Sequence, residues 1–368
     1  MEILYENLLK FQWQDIVMIL LGCLLIFLAI KKEMEPSLLL PMGLGTILVN
    51  IPGSTALIGP IQELYGAGIA NELFPLLLFI GIGAMIDFGP LLTNPKLMLF
   101  GAAAQFGIFF TLSMASVFFP EAKDAASIAI IGAADGPTAI LVSQILDSKY
   151  VGAIAVAAYS YMALVPIIQP FAIKLVTTRE DRAMKMPYVG GKVSRRTRIL
   201  FPILVSVIAG LVAPSSVALV GFLMFGNLIR ECGVLNTMSS TAQNELANLI
   251  TLLLGITISF SMRAEDFVRP ETMLIMGLGL VAFILDSMVG VLFVKVLNIF
   301  TPKNKINPMV GAAGISAFPM SSRVIEKMGQ EADPTNHLLM HAVAANVSGQ
   351  IASVVAGGVV LQYFANLI

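Results

Sequence analysis

Apolar residues run along this chain in long blocks. They fall near 14–30, 37–51, 74–88, 98–119, 126–146 and 151–175, and after a polar stretch they resume near 199–213, 215–229, 246–262, 272–300, 307–322 and 337–366. Many blocks are of membrane-spanning length. In lipid the backbone has no outside partner, so helix is the predicted state of each.

The two sets of blocks resemble each other in order. EPSLLLPMGLGTILVN (35–50) parallels APSSVALVGFLMFGN (213–227), and NELFPLLLFIGIG (71–83) parallels NELANLITLLLGIT (244–257). GAADGPTA (132–139) parallels GAAGISAF (311–318), and AVAAYS (155–160) parallels AVAANV (342–347). Four matches in one order, with offsets drifting only from about 173 to about 187, predict an internal duplication. The halves are 1–175 and 199–368, joined by a basic loop over 176–198.

Basic loops set the orientation. TTREDRAMKMPYVGGKVSRRTR (177–198) holds seven Lys and Arg, while KKEMEP (31–36) and TPKNKINP (301–308) hold two each, so all three are expected in the cytoplasm. Counting crossings from Lys31 and Lys32 satisfies this only if one intervening segment fails to cross. The segment 126–146, with Gly132, Gly136 and Pro137 in its middle, is the one expected to be re-entrant or broken. Each half then has five crossings and one hairpin. An odd number of crossings makes the repeats inverted, as in secondary transporters.

Composition agrees with this picture. Hydrophobic residues make up 57% of the 368 and charged residues 12%, which excludes an ordinary soluble domain. Cys23 and Cys232 form no disulfide framework and no metal spacing. MEILYENLLKFQWQD reads as an amphipathic lead-in, with no cleavage site of a signal peptide. No basic surface with interleaved aromatics points to nucleic acid. Two further patterns are expected to be incidental. AMKM (183–186) matches a biotinylation tetrapeptide, but its loop of 22 residues cannot build the presenting domain; HLLMH (337–341) lacks the glutamate and third ligand of a zinc site.

Irregular backbone at membrane depth survives where it lines a cavity or is buried in protein, and paired interruptions in two halves point to the substrate site. The interruptions are GAADGPTAI (132–140) and NPMVGAAGISAFP (307–319), expected to meet near the midplane with Gly132, Gly136, Pro137, Gly311 and Gly314 as hinges. A carboxylate there costs about 2.5–3.5 kcal/mol on insertion scales, so Asp135 needs a cation, a proton or a buried partner. Hard cations such as sodium take oxygen ligands. Asp135, the Thr138 hydroxyl and carbonyls freed beside Pro137 can supply them. Asp135 is equally placed to cap a half-helix starting near Pro137, a compatible role. Asn307, Ser316, Asn346 and Ser353 offer neutral oxygens in the second half, where they also read as interhelical contacts. Arg323 stands at the exit of the second hairpin, Tyr159 and Tyr161 follow AVAA, and Asp286 is a second intramembrane acid.

Together, GAADGPTAI, AYSYMALVPIIQP (158–170), NPMVGAAGISAFPMSSRV (307–324) and NHLLMHAVAANVSG (336–349) resemble the beta subunit of the sodium-pumping, biotin-dependent decarboxylases, which act on oxaloacetate, methylmalonyl-CoA, glutaconyl-CoA or malonate. The likeness covers essentially the whole chain. It implies an inner-membrane subunit that decarboxylates carboxybiotin, consuming a proton and driving sodium outward. The cofactors implied are sodium and a biotin carried by a partner. The partners implied are a biotin carrier protein, a carboxyltransferase (alpha) subunit and a small single-span subunit, around a homotrimer whose core moves against a scaffold. By motif, Asp135 matches the family's essential aspartate, and Tyr159 and Tyr161 its paired tyrosines. Asn307, Gly311, Ser316 and Arg323 match its second broken segment, and Asn346 and Ser353 its last polar pair. The chain departs from relatives in reading GAADGPT for GGADGPT and AANVSG for GPNVAG. Its short length favours an acyl-CoA-linked complex over the oxaloacetate one. The alternative reading is a free-standing sodium/proton antiporter or sodium-coupled carboxylate carrier; a non-transporting membrane scaffold is a third, and leaves the paired breaks unexplained.

Overall fold

The structure, a computed structural model, describes residues 9–33, 36–56, 59–187, 193–302 and 304–365. The amphipathic lead-in up to residue 8 and parts of the three basic loops lie outside them. The described residues form helices and no strand. In the first half these are α1 (Trp13–Lys32), α2 (Pro36–Val49), α3 (Pro60–Gly68), α4 (Leu73–Met85), α5 (Met98–Ala103), α6 (Phe106–Phe118), α7 (Ala122–Ala129), α8 (Gly136–Ile145) and α9 (Val151–Val176). The second half has α10 (Arg195–Val212), α11 (Val217–Glu231), α12 (Ala247–Ile258), α13 (Pro270–Phe300), α14 (Met309–Ala312), α15 (Met320–Ala332) and α16 (Leu339–Ala365), with short helical turns between them.

Five helical stretches are long and apolar enough to cross a membrane, or up to seven if two bent pairs each count as one span. That is fewer than the blocks predict, because several blocks are realised as short helices. α2 has 14 residues, α4 has 13 and α11 has 15, below the roughly 20 that a perpendicular crossing needs. α3 and α4 meet at 65°. Lipid-facing character remains plain on the outer helices: Leu20 is 63% and Leu211 80% exposed.

Apolar burial does not by itself pull helices together in lipid, so close backbone approach at small residues has to. The halves use the same pairs of elements for it. α2 packs on α12 at Gly45 and Gly255, and α4 packs on α11 at Gly83 and Gly226. A Cβ on Gly83 would stand 1.8 Å from the Leu223 carbonyl oxygen, and one on Gly226 2.0 Å from that of Ile80. Asn50 at the end of α2 donates to the Met262 carbonyl (2.8 Å) and accepts from the Ala264 amide (2.7 Å), fastening the turn that follows α12. Asn227 in α11 donates to the Ile86 carbonyl (2.9 Å), fastening the turn that follows α4.

Both interrupted segments are hairpins whose ends meet. At the first, Ser148 donates to Asp124 (2.7 Å) while Lys149 pairs with Glu121 (2.9 Å) and Asp124 (3.4 Å), so residues 121–124 and 148–149 close one mouth. At the second, Asn307 and Asn336, before and after the hairpin, both donate to the carbonyls of Arg182 and Met184. Lys185, in the AMKM tetrapeptide, pairs with Asp333 at 3.0 Å. His337 of HLLMH lies 3.0 Å from Glu326, whose other oxygen accepts the Leu338 and Leu339 amides that open α16; His341 is buried.

Candidate functional site

The first break is local chemistry. α7 tightens into a 3-10 turn over Ile130–Ala133, Ala134 takes a left-handed φ of 53°, and Asp135 is extended. α8 restarts at Gly136 with Pro137 in its first turn, where a missing N–H costs nothing. Asp135 caps that turn: Oδ1 accepts the Thr138 amide (3.3 Å) and Oδ2 the Thr138 hydroxyl (2.7 Å). Capping does not exhaust the carboxylate. Oδ2 also accepts the Ser353 hydroxyl (2.6 Å) and the Gln350 amide (3.1 Å) from α16, and Asp135 is 2% exposed.

The second break is longer. α14 ends at Ala312 and α15 starts at Met320, leaving 313–319 without regular helix. The two breaks touch through their backbones, for the Ser316 amide donates to the Ala133 carbonyl (3.3 Å). α16 runs past both. Asn346 donates to the Ile315 carbonyl (2.6 Å), the Gly349 carbonyl accepts the Ser316 hydroxyl (3.3 Å), and one helical turn on, Gln350 and Ser353 reach Asp135. Gly357 then meets the Thr138 methyl.

α9 does for the first break what α16 does for the second. Its Tyr159 ring lies on Gly136, where a Cβ would stand 2.6 Å from ring carbons. Tyr159 and Asn346 occupy matching places in AVAAYS and AVAANV, and Gly136 and Ile315 occupy matching places in the breaks. Each carries a buried oxygen with no hydrogen-bond partner among the described residues, the Tyr159 hydroxyl and Asn346 Oδ1. Both side chains lie against a break, Tyr159 on Gly136 and Asn346 on the Ile315 carbonyl.

Asp135, Thr138 and Ser353 are thus brought together, with Ser316 and Asn346 on the adjoining break. Other candidates go elsewhere. Asn307 sits at the mouth of its hairpin on the 182–184 carbonyls and is not among the hydrogen-bond partners of Asp135. Tyr161 turns away from Tyr159, donating to the Met276 carbonyl of α13 and packing on Gly279. Arg323 is exposed on α15, with no ion pair or hydrogen bond among the described residues. Gly132 and Gly311 are packing points: a Cβ on Gly132 would meet the Gly107 carbonyl oxygen at 2.2 Å, and one on Gly311 that of Gly290 at 2.0 Å. Gly314 is wedged between Phe100 and Gly349. Asp286 is fully buried on α13 and accepts the Gly107 amide; it is not among the hydrogen-bond partners around Asp135. The residue that sequence reasoning passed over is Gln350. Its signal was present, since it lies four residues after Asn346 and three before Ser353 and so shares their helical face.

Residues 14–364 match the family described as the Na+-transporting oxaloacetate decarboxylase beta subunit. The chain belongs to this family. It is 47% identical to the methylmalonyl-CoA decarboxylase subunit beta of Propionigenium modestum, covering 95% of each chain. Identity is 46% with the glutaconyl-CoA decarboxylase subunit beta of Acidaminococcus fermentans (97% of this chain, 95% of the relative). With the oxaloacetate decarboxylase beta chain of Klebsiella pneumoniae it is 41%, over 94% of each. As a beta subunit of the sodium-transporting decarboxylases, the chain is a membrane subunit of a decarboxylase complex, and the free-standing transporter falls away as an account of it. Asp135 and the two breaks lie well inside the matched residues.

Proposed function

We propose that this subunit couples decarboxylation of carboxybiotin, presented by a partner carrier protein, to sodium export with proton uptake, and that Asp135 is the group that exchanges the two cations. The observation that carries the reading is a single buried carboxylate held by hydroxyl and amide groups from two elements at the point where both interrupted hairpins touch. A hydroxyl that donates to a carboxylate keeps lone pairs free, so Thr138 and Ser353 can face a cation together with Asp135. The unpaired oxygens of Tyr159 and Asn346, with Ser316 beside them, supply neutral ligands for one or two sodium sites; Asn307 would join only through a rearrangement of its hairpin mouth.

The driving step takes place at the cytoplasmic face. The N–CO2 bond of carboxybiotin breaks, CO2 leaves, and the ureido nitrogen takes a proton. Arg323, exposed and unpaired, would hold the carboxylate bidentately until that bond breaks. Loss of the anion removes the hold, and this difference in affinity shifts the carrier between inward and outward states. The architecture we infer is two inverted repeats, each with about five transmembrane helices and one re-entrant segment, in which the hairpins, α9 and α16 form a core that moves against a scaffold of α1–α4 and α10–α12. Ile140, Ala155, Val156 and Tyr159 pack with scaffold residues in a separate apolar cluster, at the boundary such a motion needs. The complex would be a homotrimer in the inner membrane with carboxyltransferase, biotin carrier and small single-span partners. The higher identity to acyl-CoA decarboxylase subunits favours an acyl-CoA substrate for the whole complex.

Asp135→Asn is expected to abolish both sodium-stimulated decarboxylation and sodium transport in the purified complex. Normal coupling in that variant would end the reading. Streptavidin blotting of the solubilised complex is expected to reveal a biotinylated partner that co-purifies.

A further inference from the structure

α13 packs against both α6 and the 3-10 turn of the first break, and at their junction it presents Asp286, which is 0% exposed. Oδ1 accepts the Gly107 amide in the first turn of α6 (3.0 Å), and Oδ2 is buried with no hydrogen-bond partner among the described residues. Gly107 is the glycine on which Gly132 of the first hairpin rests: a Cβ on Gly107 would lie 2.5 Å from the Gly132 carbonyl oxygen and 3.0 Å from Asp286 Cγ. One small patch therefore joins the acid, the start of α6 and the hairpin that carries Asp135 three residues further on. The second half has the matching contact between Gly290 and Gly311, where no carboxylate lies against either glycine among the described residues.

We propose that Asp286 is a second proton-binding site of the pump, holding a proton on Oδ2 while the first hairpin rests on Gly107 and releasing it when that contact opens. An ionised carboxylate with one amide donor and one bare oxygen is far more costly to bury than the neutral acid, which leaves a single O–H donor to be desolvated. Among the described residues no cation stands nearby to change this. α5, α6, the 130–133 turn and α14, all packed around α13, carry no titratable side chain; α9 contributes the tyrosine Tyr161, committed to the Met276 carbonyl, with Tyr159 turned to Gly136 and Lys174 near its far end. On the hairpin itself the nearest acid is Asp135, with Lys123 and Asp124 at the mouth. Displacing Gly132 would open Gly107 and Asp286 to water, so proton occupancy follows hairpin position. The proposal does not require that carboxybiotin be the driver.

Difference infrared spectra of the intact complex, with and without sodium and in normal and heavy water, read the acid directly. A carbonyl band of a buried carboxylic acid is expected that responds to sodium, is absent in Asp286→Asn and moves in Asp286→Glu. Asp286→Asn preserves the acceptor for Gly107 but fixes the neutral state. It is expected to cut sodium-stimulated turnover at least tenfold, while the sodium-induced rise in melting temperature stays near that of the unaltered complex. Unaltered turnover in Asp286→Asn, or a band unchanged by sodium, would overturn the proposal. If Asp286→Asn fails to assemble, the shifted band in Asp286→Glu and its sodium response still decide the matter. Neither readout depends on the Asp135→Asn result, so this proposal and the carboxybiotin reading fail separately.

Discussion

At the scale of single residues, the site is one acid surrounded by groups that can each do two things. Ser353 and Thr138 donate to Asp135 in the arrangement described, yet their oxygens are also fit to ligate. Hydrogen bonds to charged groups are worth about 1.5–3 kcal/mol, so Ser353→Ala is expected to raise the sodium concentration for half-maximal activity by roughly tenfold or more. Tyr159→Phe separates ligand from filler. Its hydroxyl makes no hydrogen bond among the described residues, so removing it should leave thermal stability unchanged or raised while weakening sodium binding. If sodium titration of the melting temperature gives the same affinity with and without that hydroxyl, Tyr159 packs on Gly136 and does no more. Asp135 was legible because an acid next to Gly-Pro in an apolar block has few explanations. The position of Asn307 was not, because its partners are carbonyls of a loop more than 120 residues away in sequence, and nothing in spacing foretells where that loop returns.

At the scale of elements, sequence predicted the breaks and the structure supplies what supports them. α16 and α9 each run along a break, and glycine lets the neighbouring helices approach. Gly107 with Gly132 and Gly290 with Gly311 are the same contact made twice, which no reading of either half alone would have found. Helix lengths were less legible. Apolar composition continues straight through a bend, so the block covering 74–88 gave no sign that its helix has only 13 residues and a bent partner before it. These contacts divide the glycines sharply. Gly132→Ala and Gly311→Ala each place a methyl about 2 Å from a backbone oxygen that cannot rotate away. Overpacking of this sort costs about 1–3 kcal/mol, so both should lower the melting temperature of the solubilised protein. Gly277→Ala in α13 meets nothing within 4 Å and should gain up to about 1 kcal/mol from helix propensity. Equal effects at all three would mean that the glycine contacts do not hold the hairpins.

At the scale of the whole molecule, polar residues gather into two rims, and their charge bears on sidedness. One rim collects the mouth of the first hairpin with the acidic loop after α12: a cavity of about 550 Å³ is lined by Asp147, Lys149, Arg263, Asp266 and Glu271. The other collects the mouth of the second hairpin with the basic loop, through Asn307 and Asn336 on Arg182 and Met184, Lys185 on Asp333 and Lys295 on Asp181. Arg198, Asp87, Arg230 and Glu231 form an ion-pair cluster that ties the start of α10 to the ends of α4 and α11. Positive charge near helix ends is retained in the cytoplasm, so we propose that the rim with the basic loop faces inward and that the first hairpin opens outward. Single cysteines in a background lacking Cys23 and Cys232 make this measurable in sealed cells. A membrane-impermeant thiol reagent is expected to label Asp147→Cys and Glu265→Cys, and to reach Arg196→Cys and Lys305→Cys only after permeabilisation. All four parent residues are exposed, so access and not burial decides the result. Labelling of Asp147→Cys and Lys305→Cys from the same side would place both hairpin mouths on one face. The halves would then not be inverted, and a sodium ion at Asp135 would have no second door to leave by.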